Sequence, residues 1–196
     1  DKIVSVMEKI VENKPTFFRM DTLSAEIAKI ATNCFLTTKI SFANAIGDLA
    51  IKTGADKDKI LEAIGADSRI GNKYLNYGFG FGGPCFPRDN RAIGKFAEDN
   101  GYELLISKAT DEVNQKHLEF QFENTLNKYK EDETIVFEGV AYKKDSVFIE
   151  ESQQLLLAVK LAAAGRKVLI KDNATVIKQV KELYPNLFDY KEVASN

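Results

Sequence analysis

The apolar positions of this chain recur at steps of three and four along its longest patterned stretch, from Ala25 to Lys52. Asp21 and Ser24 can accept hydrogen bonds at the start, and Gly54 follows the end, so the pattern predicts one long helix. At about 1.5 Å per residue this helix is roughly 40 Å long, which is more than one small core covers. We therefore expect a homodimer through helix 25–52. The apolar positions are Ile27, Ile30, Ala31, Cys34, Phe35, Thr38, Ala45, Ile46 and Leu49.

Shorter helical patterns lie on both sides of the long helix. Residues 1–20 carry a helical pattern that runs into Lys14-Pro15, and we interpret them as the remnant of a preceding domain or a linker. Residues 21–130 are predicted to form an all-helical domain, because no strand pattern interrupts them. The further helices are predicted at Lys57–Ile64, Arg88–Asn100 and Leu104–Tyr129, with an irregular segment over 65–87.

The pattern changes to strands after Glu133. Thr134–Phe137 and Lys167–Ile170 are apolar and rich in β-branched residues, and the helical pattern Glu151–Ala164 lies between them. This order predicts a parallel βαβ unit, followed by a helix over Ala174–Leu183. Two parallel strands are too few for a complete sheet of this kind, so residues 131–196 are predicted to be an incomplete Rossmann-like domain. The fold class is therefore α + α/β.

The composition excludes several classes of function. The chain has 196 residues, 44% hydrophobic content and a net charge of −2, without a basic block, so neither a nucleic-acid partner nor a membrane partner is indicated. The absence of an apolar run of about 18 residues and of a signal pattern favours a cytoplasmic location. His117 is the sole histidine, which argues against a histidine-rich metal site and against Ser-His-Asp chemistry. We expect His117 at the surface.

Residues Gly78 to Asp89 form a glycine-rich segment in which Cys85 lies directly before a predicted helix. Pro87 suits the first helical turn, so Cys85 lies where unpaired N–H groups favour a thiolate. Glycines allow the backbone to approach a ligand closely. Asp89 follows in the first turn, where its carboxylate can cap the helix or orient a water molecule. The alternative is an inert, buried cysteine, but the glycines and the neighbouring charges favour a reactive one.

A second polar group lies on the long helix. Glu26, Lys29 and Asn33 share one face at steps of three and four, and the ammonium and the amide offer converging donors for an oxyanion. The alternative is a solvated charged face with a Glu26–Lys29 ion pair.

Four segments in order resemble the UDP-glucose/GDP-mannose 6-dehydrogenase family, and they extend over nearly the whole chain. Members of that family have an N-terminal Rossmann domain for NAD, a central helical dimerisation domain and a C-terminal Rossmann-like domain that binds the nucleotide. This chain resembles the last two. The segments are Ala25–Asn33 (AEIAKIATN), Arg69–Tyr74 (RIGNKY), Gly80–Asp89 (GFGGPCFPRD) and Gly139–Asp145 (GVAYKKD).

The resemblance implies an activity and a role for each matched residue. The intact enzyme would oxidise the C6 alcohol of a nucleotide sugar to a carboxylate in two NAD-dependent steps. Cys85 matches the nucleophile, Lys29 and Asn33 the oxyanion donors, and Asp89 the carboxylate that manages water. Arg69 matches an arginine that reaches into the partner subunit's site. The other residues that match substrate contacts are Tyr74, Leu75, Phe81, Gly82 and Lys143.

The sequence also departs from the family. No Gly-x-Gly-x-x-Gly follows a predicted strand, so we expect a fragment that does not hold NAD well by itself. Glu150 stands where many members have an arginine, and Asn76 where some have a lysine, which leaves cofactor contact and sugar preference open. A non-catalytic dimerisation or nucleotide-sugar-binding module is the alternative function. A stand-alone cysteine hydrolase ranks last because it lacks a histidine base near Cys85.

Overall fold

The long helix and the two-part architecture are confirmed by the computed structural model, which describes residues 2–193. The first part is helical, and the second is a small parallel sheet with helices. The helices are α1 (Lys2–Ile10), α2 (Thr22–Thr53), α3 (Lys57–Gly65), α4 (Phe86–Asp99), α5 (Leu105–Lys128), α6 (Gln153–Ala163) and α7 (Ala174–Leu183). The strands are β1 (Ile135–Glu138), β2 (Val168–Asp172) and β3 (Asp189–Glu192).

The ends of α2 follow from local chemistry. The Asp21 carboxylate accepts a hydrogen bond from the Ser24 amide at 3.0 Å and caps the first turn. Gly54 ends the helix with a φ of 76°, a left-handed conformation that glycine adopts at little cost. Helices α3, α4 and α5 all pack against α2, which makes it the central element of the helical part.

The sheet contains one strand more than the sequence predicts. Strands β1 and β2 pair in parallel with Phe137 opposite Ile170, and β3 adds a third parallel strand with Tyr190 opposite Ile170. Strand β3 reads Asp-Tyr-Lys-Glu and has no buried residue, so it carries neither an apolar run nor an apolar alternation. The expectation of two strands and a ragged tail was therefore wrong, because β3 is defined by its pairing with β2 and by Tyr190, which packs against the core.

Helix α5 packs against both parts of the chain. In the α/β part, Leu161 and Ile170 are fully buried, and Leu118 and Phe122 of α5 pack against their cluster. On its other side α5 packs on α2 and α4. The boundary predicted at residue 131 lies between α5 and β1, yet the two parts share this helix. No helix within residues 2–193 has the length and apolar character needed to cross a membrane.

Candidate active site

Cys85 lies at the N-terminus of α4, as the sequence predicts. The helix begins at Phe86, two residues before the predicted start, and Pro87 occupies its first turn. Cys85 is the N-cap residue, its side chain is exposed, and no side chain caps the helix. The sulfur therefore lies beside backbone N–H groups that have no partner within the helix and that favour a negative charge.

Asp89, one turn into α4, joins that helix to α2. Its carboxylate is 7% exposed and accepts a hydrogen bond from the Asn33 side-chain amide at 2.6 Å. Arg88 donates to the other carboxylate oxygen at 2.9 and 3.0 Å. The carboxylate is thus turned to α2, and it makes no capping bond to its own helix.

The charge of Asp89 is stabilised by its surroundings. Burial raises the pKa of the carboxyl, but the hydrogen bonds from Asn33 and Arg88 and the positive charges of Arg88 and Lys29 outweigh burial and hold the pKa below its ordinary value. Lys29 itself is exposed, and no ion pair joins it to Glu26 in the part of the chain that the structure describes. The four predicted catalytic residues, Lys29, Asn33, Cys85 and Asp89, therefore meet where α2 contacts the start of α4.

The second thiol lies close to this cluster but in a different environment. Cys34 on α2 is half-buried, and its thiol donates to the backbone carbonyl of Asp89 at 3.5 Å. Burial, with a smaller contribution from the charge of Asp89, raises the pKa of the Cys34 thiol to about 11. Cys34 is therefore a thiol rather than a thiolate near neutral pH.

The glycines of the loop approach protein atoms, whereas the sequence suggested an approach to a ligand. A Cβ atom at Gly80 would lie 2.2 Å from the Asn114 side chain, and one at Gly82 would lie 2.2 Å from the backbone oxygen of Glu151. Gly83, with a φ of 82°, donates from its amide to the Glu150 carbonyl at 2.8 Å. The loop is therefore fixed between the helical part and the segment that precedes α6.

Buried polar side chains of α2 and α5 bind the backbone of the loop. Asn44 accepts from the Gly78 amide at 3.0 Å, and Asn114 both donates to and accepts from Phe81 at 2.9 Å. His117 is 2% exposed, so its predicted surface position was wrong. Sequence reasoning missed these residues, although 114, 117 and 121 recur at steps of three and four and thus share one face of α5.

The predicted substrate contacts divide into two groups. Tyr74 is partly exposed, and its ring lies 6.4 Å from the ring of Phe86, next to Cys85. Leu75 and Phe81 are each 3% exposed and belong to the protein interior, so their side chains are not free to contact a ligand. Gly82 is also buried, where it allows the close approach of Glu151.

Arg69 and Lys143 lie apart from the cysteine cluster. Arg69 is exposed and forms a 2.6 Å ion pair with Asp67 in its own turn. Lys143 lines a cleft of about 610 Å³ at the carboxyl ends of β1 and β2, together with Lys144 and Lys171. Glu138, Asp145 and Asp172 line the same cleft, and Lys171 pairs with Glu138 at 2.7 Å, so the cleft carries charges of both signs.

The residues described here do not fit a dinucleotide. No short glycine-rich turn leads from β1 into a helix, because residues 139–152 separate β1 from α6. The first turn of α6 is already capped by the Ser152 hydroxyl, which accepts from the Leu155 amide. Glu150 is exposed in the same segment and would repel a phosphate. Within residues 2–193, no group of three His, Cys, Asp or Glu side chains is placed to hold a metal ion.

Comparisons with known proteins find relatives of this chain. Residues 23–116 match the family model of the UDP-glucose/GDP-mannose dehydrogenase central domain. A UDP-glucose 6-dehydrogenase of Bacillus subtilis is 32% identical over 89% of this chain and 40% of its own length. One of Haloferax volcanii is 32% identical over 100% of this chain and 46% of its own length.

A solved structure gives the same result. The UDP-glucose dehydrogenase of the hyperthermophilic archaeon Pyrobaculum islandicum superposes with a TM-score of 0.84 and 32% identity, covering 98% of this chain and 45% of that structure. The chain therefore spans less than half the length of these relatives.

Proposed function

Since this chain belongs to the UDP-glucose/GDP-mannose dehydrogenase family, we propose that it supplies the cysteine site of a nucleotide-sugar 6-dehydrogenase. The reaction converts the C6 alcohol of the sugar to a carboxylate through a covalent intermediate on Cys85. The observation that carries this proposal is the 2.6 Å hydrogen bond between Asn33 and Asp89, which lie 56 positions apart in the sequence. It brings the oxyanion donors of α2 to the helix that begins at Cys85.

In the proposed reaction, the Cys85 thiolate attacks the C6 aldehyde that the first oxidation produces. A carbon–sulfur bond forms, and the carbonyl oxygen becomes the oxygen of a thiohemiacetal. Loss of a hydride from C6 converts this adduct to a thioester. Water then cleaves the carbon–sulfur bond, which gives the carboxylate and returns the thiol.

The neighbouring residues have complementary roles in the proposal. Lys29 offers a positive charge to the developing oxyanion, and the amide nitrogen of Asn33 has a second hydrogen beyond the one that it donates to Asp89. The Asp89 carboxylate, whose pKa is held low, stays ionised and can orient the attacking water. Arg88, which pairs with Asp89, keeps that carboxylate in place.

NAD is the hydride acceptor that family membership implies. Residues 2–193 offer it no fitting site, so the two hydride transfers would need NAD held outside these residues, with the hydroxyl protons passing to solvent. For the nucleotide sugar, we propose contact with Tyr74 beside Cys85 and with Lys143 at the sheet edge. Backbone groups near Leu75, Phe81 and Gly82 remain proposed contacts, although the side chains of the first two are buried.

We further propose a homodimer through α2. Phe35, Phe42 and Leu49 follow one another at steps of seven and are 66%, 47% and 58% exposed, which leaves an apolar strip along the helix. A second copy of α2 would cover this strip. The proposed role of Arg69, which is to reach the partner subunit's site, depends on this assembly.

The decisive experiment is to trap the covalent intermediate. A full-length dehydrogenase carrying these residues, with Asp89→Asn to slow hydrolysis, is incubated with NAD and UDP-glucose, GDP-mannose or UDP-N-acetylglucosamine in turn. Mass spectrometry of the Cys85 peptide should show a sugar adduct with one of them, and Cys85→Ser should abolish the adduct. Binding of the nucleotide sugar without an adduct or turnover would instead support a non-catalytic binding module.

A further inference from the structure

The ring of His117 lies between two oxygen atoms in the protein interior. Its Nδ1 is 2.7 Å from a carboxylate oxygen of Asp48 on α2, and its Nε2 is 2.7 Å from the backbone carbonyl of Gly78. A carbonyl oxygen can only accept, so Nε2 must carry a hydrogen. The ring is therefore held at both nitrogens, by the Gly78 carbonyl through Nε2 and by the Asp48 carboxyl group through Nδ1.

Other groups around the ring support this arrangement. The Tyr77 hydroxyl donates to the second oxygen of Asp48 at 2.9 Å, and its ring meets the imidazole edge-on with centroids 5.5 Å apart. Burial, with the hydrogen bond to Asp48 and its charge, raises the pKa of the Tyr77 phenol, which therefore stays a donor. The Asp48 carboxyl group is thus in contact with both Tyr77 and His117.

The position of Gly78 makes the contact with His117 relevant to Cys85. Gly78 is the first residue of the glycine-rich loop, and Gln121 also donates to its carbonyl, at 3.1 Å. The bond from His117 is the shorter of the two, at 2.7 Å. Between Gly78 and Cys85, the backbone of the loop forms further hydrogen bonds at Phe81 and Gly83. The hydrogen bond from His117 to Gly78 therefore holds the beginning of the loop.

We propose that His117 is a positioning residue, which uses Nε2 to hold the Gly78 carbonyl and so fixes the loop that presents Cys85. The proposal rests on the proposed function only in taking Cys85 as the reacting group. Asp48 fixes the orientation of the ring through Nδ1, and the loop is thereby attached to α2 and α5 together. A loop fixed in this way keeps Cys85 at the N-terminus of α4.

Two substitutions of His117 by amide side chains distinguish the hydrogen bond at Nε2 from the one at Nδ1. His117→Gln places an amide donor near the position of Nε2 and keeps a bond to Gly78. His117→Asn places the same amide near Nδ1 and keeps only the bond to Asp48. Val180→Ala is the matched control, because Val180 is fully buried in the other core and its loss lowers stability without contact to the loop.

Backbone amide exchange over residues 78–86 and the rate of Cys85 alkylation are measured on the 196-residue chain. His117→Asn should speed exchange and slow alkylation roughly two- to five-fold, the range in which a helix terminus acts on a charge. His117→Gln and Val180→Ala should leave both near the wild-type values. Equal effects of the two amide variants, or no effect of either, would overturn the proposal.

A measurement on the wild-type chain covers the case in which a variant fails to fold. His117 is the sole histidine, so long-range ¹H–¹⁵N correlation spectra report its ring without ambiguity. Nε2 should carry a hydrogen at pH 7, and an unprotonated Nε2 would overturn the proposal. None of these readouts needs turnover, so a failed sugar-adduct experiment would not be confused with a failure here.

Discussion

The side-chain amide of Asn33 donates a 2.6 Å hydrogen bond to the carboxylate of Asp89 and thereby joins α2 to the first turn of α4. Lys29 lies one turn before Asn33 on α2, and Cys85 lies one turn before Asp89. This single contact therefore joins the polar face of α2, which carries Lys29 and Asn33, to the helix that follows Cys85. It also helps to lower the pKa of the Asp89 carboxyl group, and this effect can be measured.

The first prediction concerns acid stability. The folded-state pKa of Asp89 is lowered, so its ionised form stabilises the protein above the ordinary value of 3.8. That contribution is lost as the pH falls below 3.8 through the folded-state pKa. In urea unfolding from pH 7 to pH 2, Asp89→Asn should show a flatter loss of stability than the wild type. The Glu123→Gln control, at an exposed position of α5, should follow the wild-type curve, and an unchanged curve for Asp89→Asn would contradict the assignment.

The second prediction concerns the two thiols. Cys85 is exposed at a helix N-terminus, whereas burial raises the pKa of Cys34 to about 11. Iodoacetamide near pH 7.5 should therefore label Cys85 more than about ten times faster than Cys34. Peptide mass spectrometry measures both rates, and Cys85→Ser should leave only the slow reaction. Labelling of Cys34 at an equal rate would refute the prediction.

The third prediction compares two glycines of the loop. An added Cβ at Gly82 would meet the backbone oxygen of Glu151, whereas Gly78 has nothing within 4 Å. Gly82→Ala should thus reduce the free energy of unfolding by about 1–3 kcal/mol through overpacking. Gly78→Ala is the matched control and should change it little. Urea unfolding measures the free energy of unfolding of both variants. Equal values would show that the close approach of Glu151 to Gly82 does not require glycine at this position.

The fourth prediction concerns assembly. The wild-type chain should have about twice the monomer mass in light scattering at micromolar concentration, because α2 leaves Phe35, Phe42 and Leu49 exposed. Phe42→Asp should give a folded monomer. Phe96→Asp, at an exposed apolar position on α4, should remain dimeric. A well-folded monomeric wild type would contradict the proposed dimer.

The fifth prediction concerns activity. The 196-residue chain should not reduce NAD with any nucleotide sugar, because residues 2–193 offer no site that holds the nicotinamide against C6. Such positioning is worth about 7–11 kcal/mol. In a full-length dehydrogenase with the same residues, Lys29→Ala should slow both oxidations about 10²–10³-fold, as loss of an oxyanion donor does. Absorbance at 340 nm follows both.

In the same full-length protein, Cys85→Ser should stall the second oxidation, because a hydroxyl is a poorer trap for the aldehyde and forms an ester instead of a labile thioester. Circular dichroism checks that each variant is folded. NADH formation by the 196-residue chain alone, or full activity after Cys85→Ser, would mean that the chemistry is wrongly assigned.

The sequence by itself determined the local elements of this protein. The periodicity of α2 and the glycine at its end, the proline in the first turn of α4 and the position of Cys85 before it are properties of neighbouring residues. Short-range hydrogen bonding and side-chain spacing decide such features, so they could be predicted from the order of residues alone. The resemblance of four ordered segments likewise identified the family.

Only the tertiary structure decided how these elements use their polar groups. Asn33 donates a hydrogen bond to Asp89, which lies 56 positions later in the sequence. His117 is buried although its neighbours in the sequence are charged, and Gly82 packs against Glu151. Strand β3 exists because β2 offers its backbone as a partner. Such contacts depend on which helix faces and strand edges are brought together in folding, and a buried polar group needs whatever partner that packing supplies. Local pattern does not contain this information.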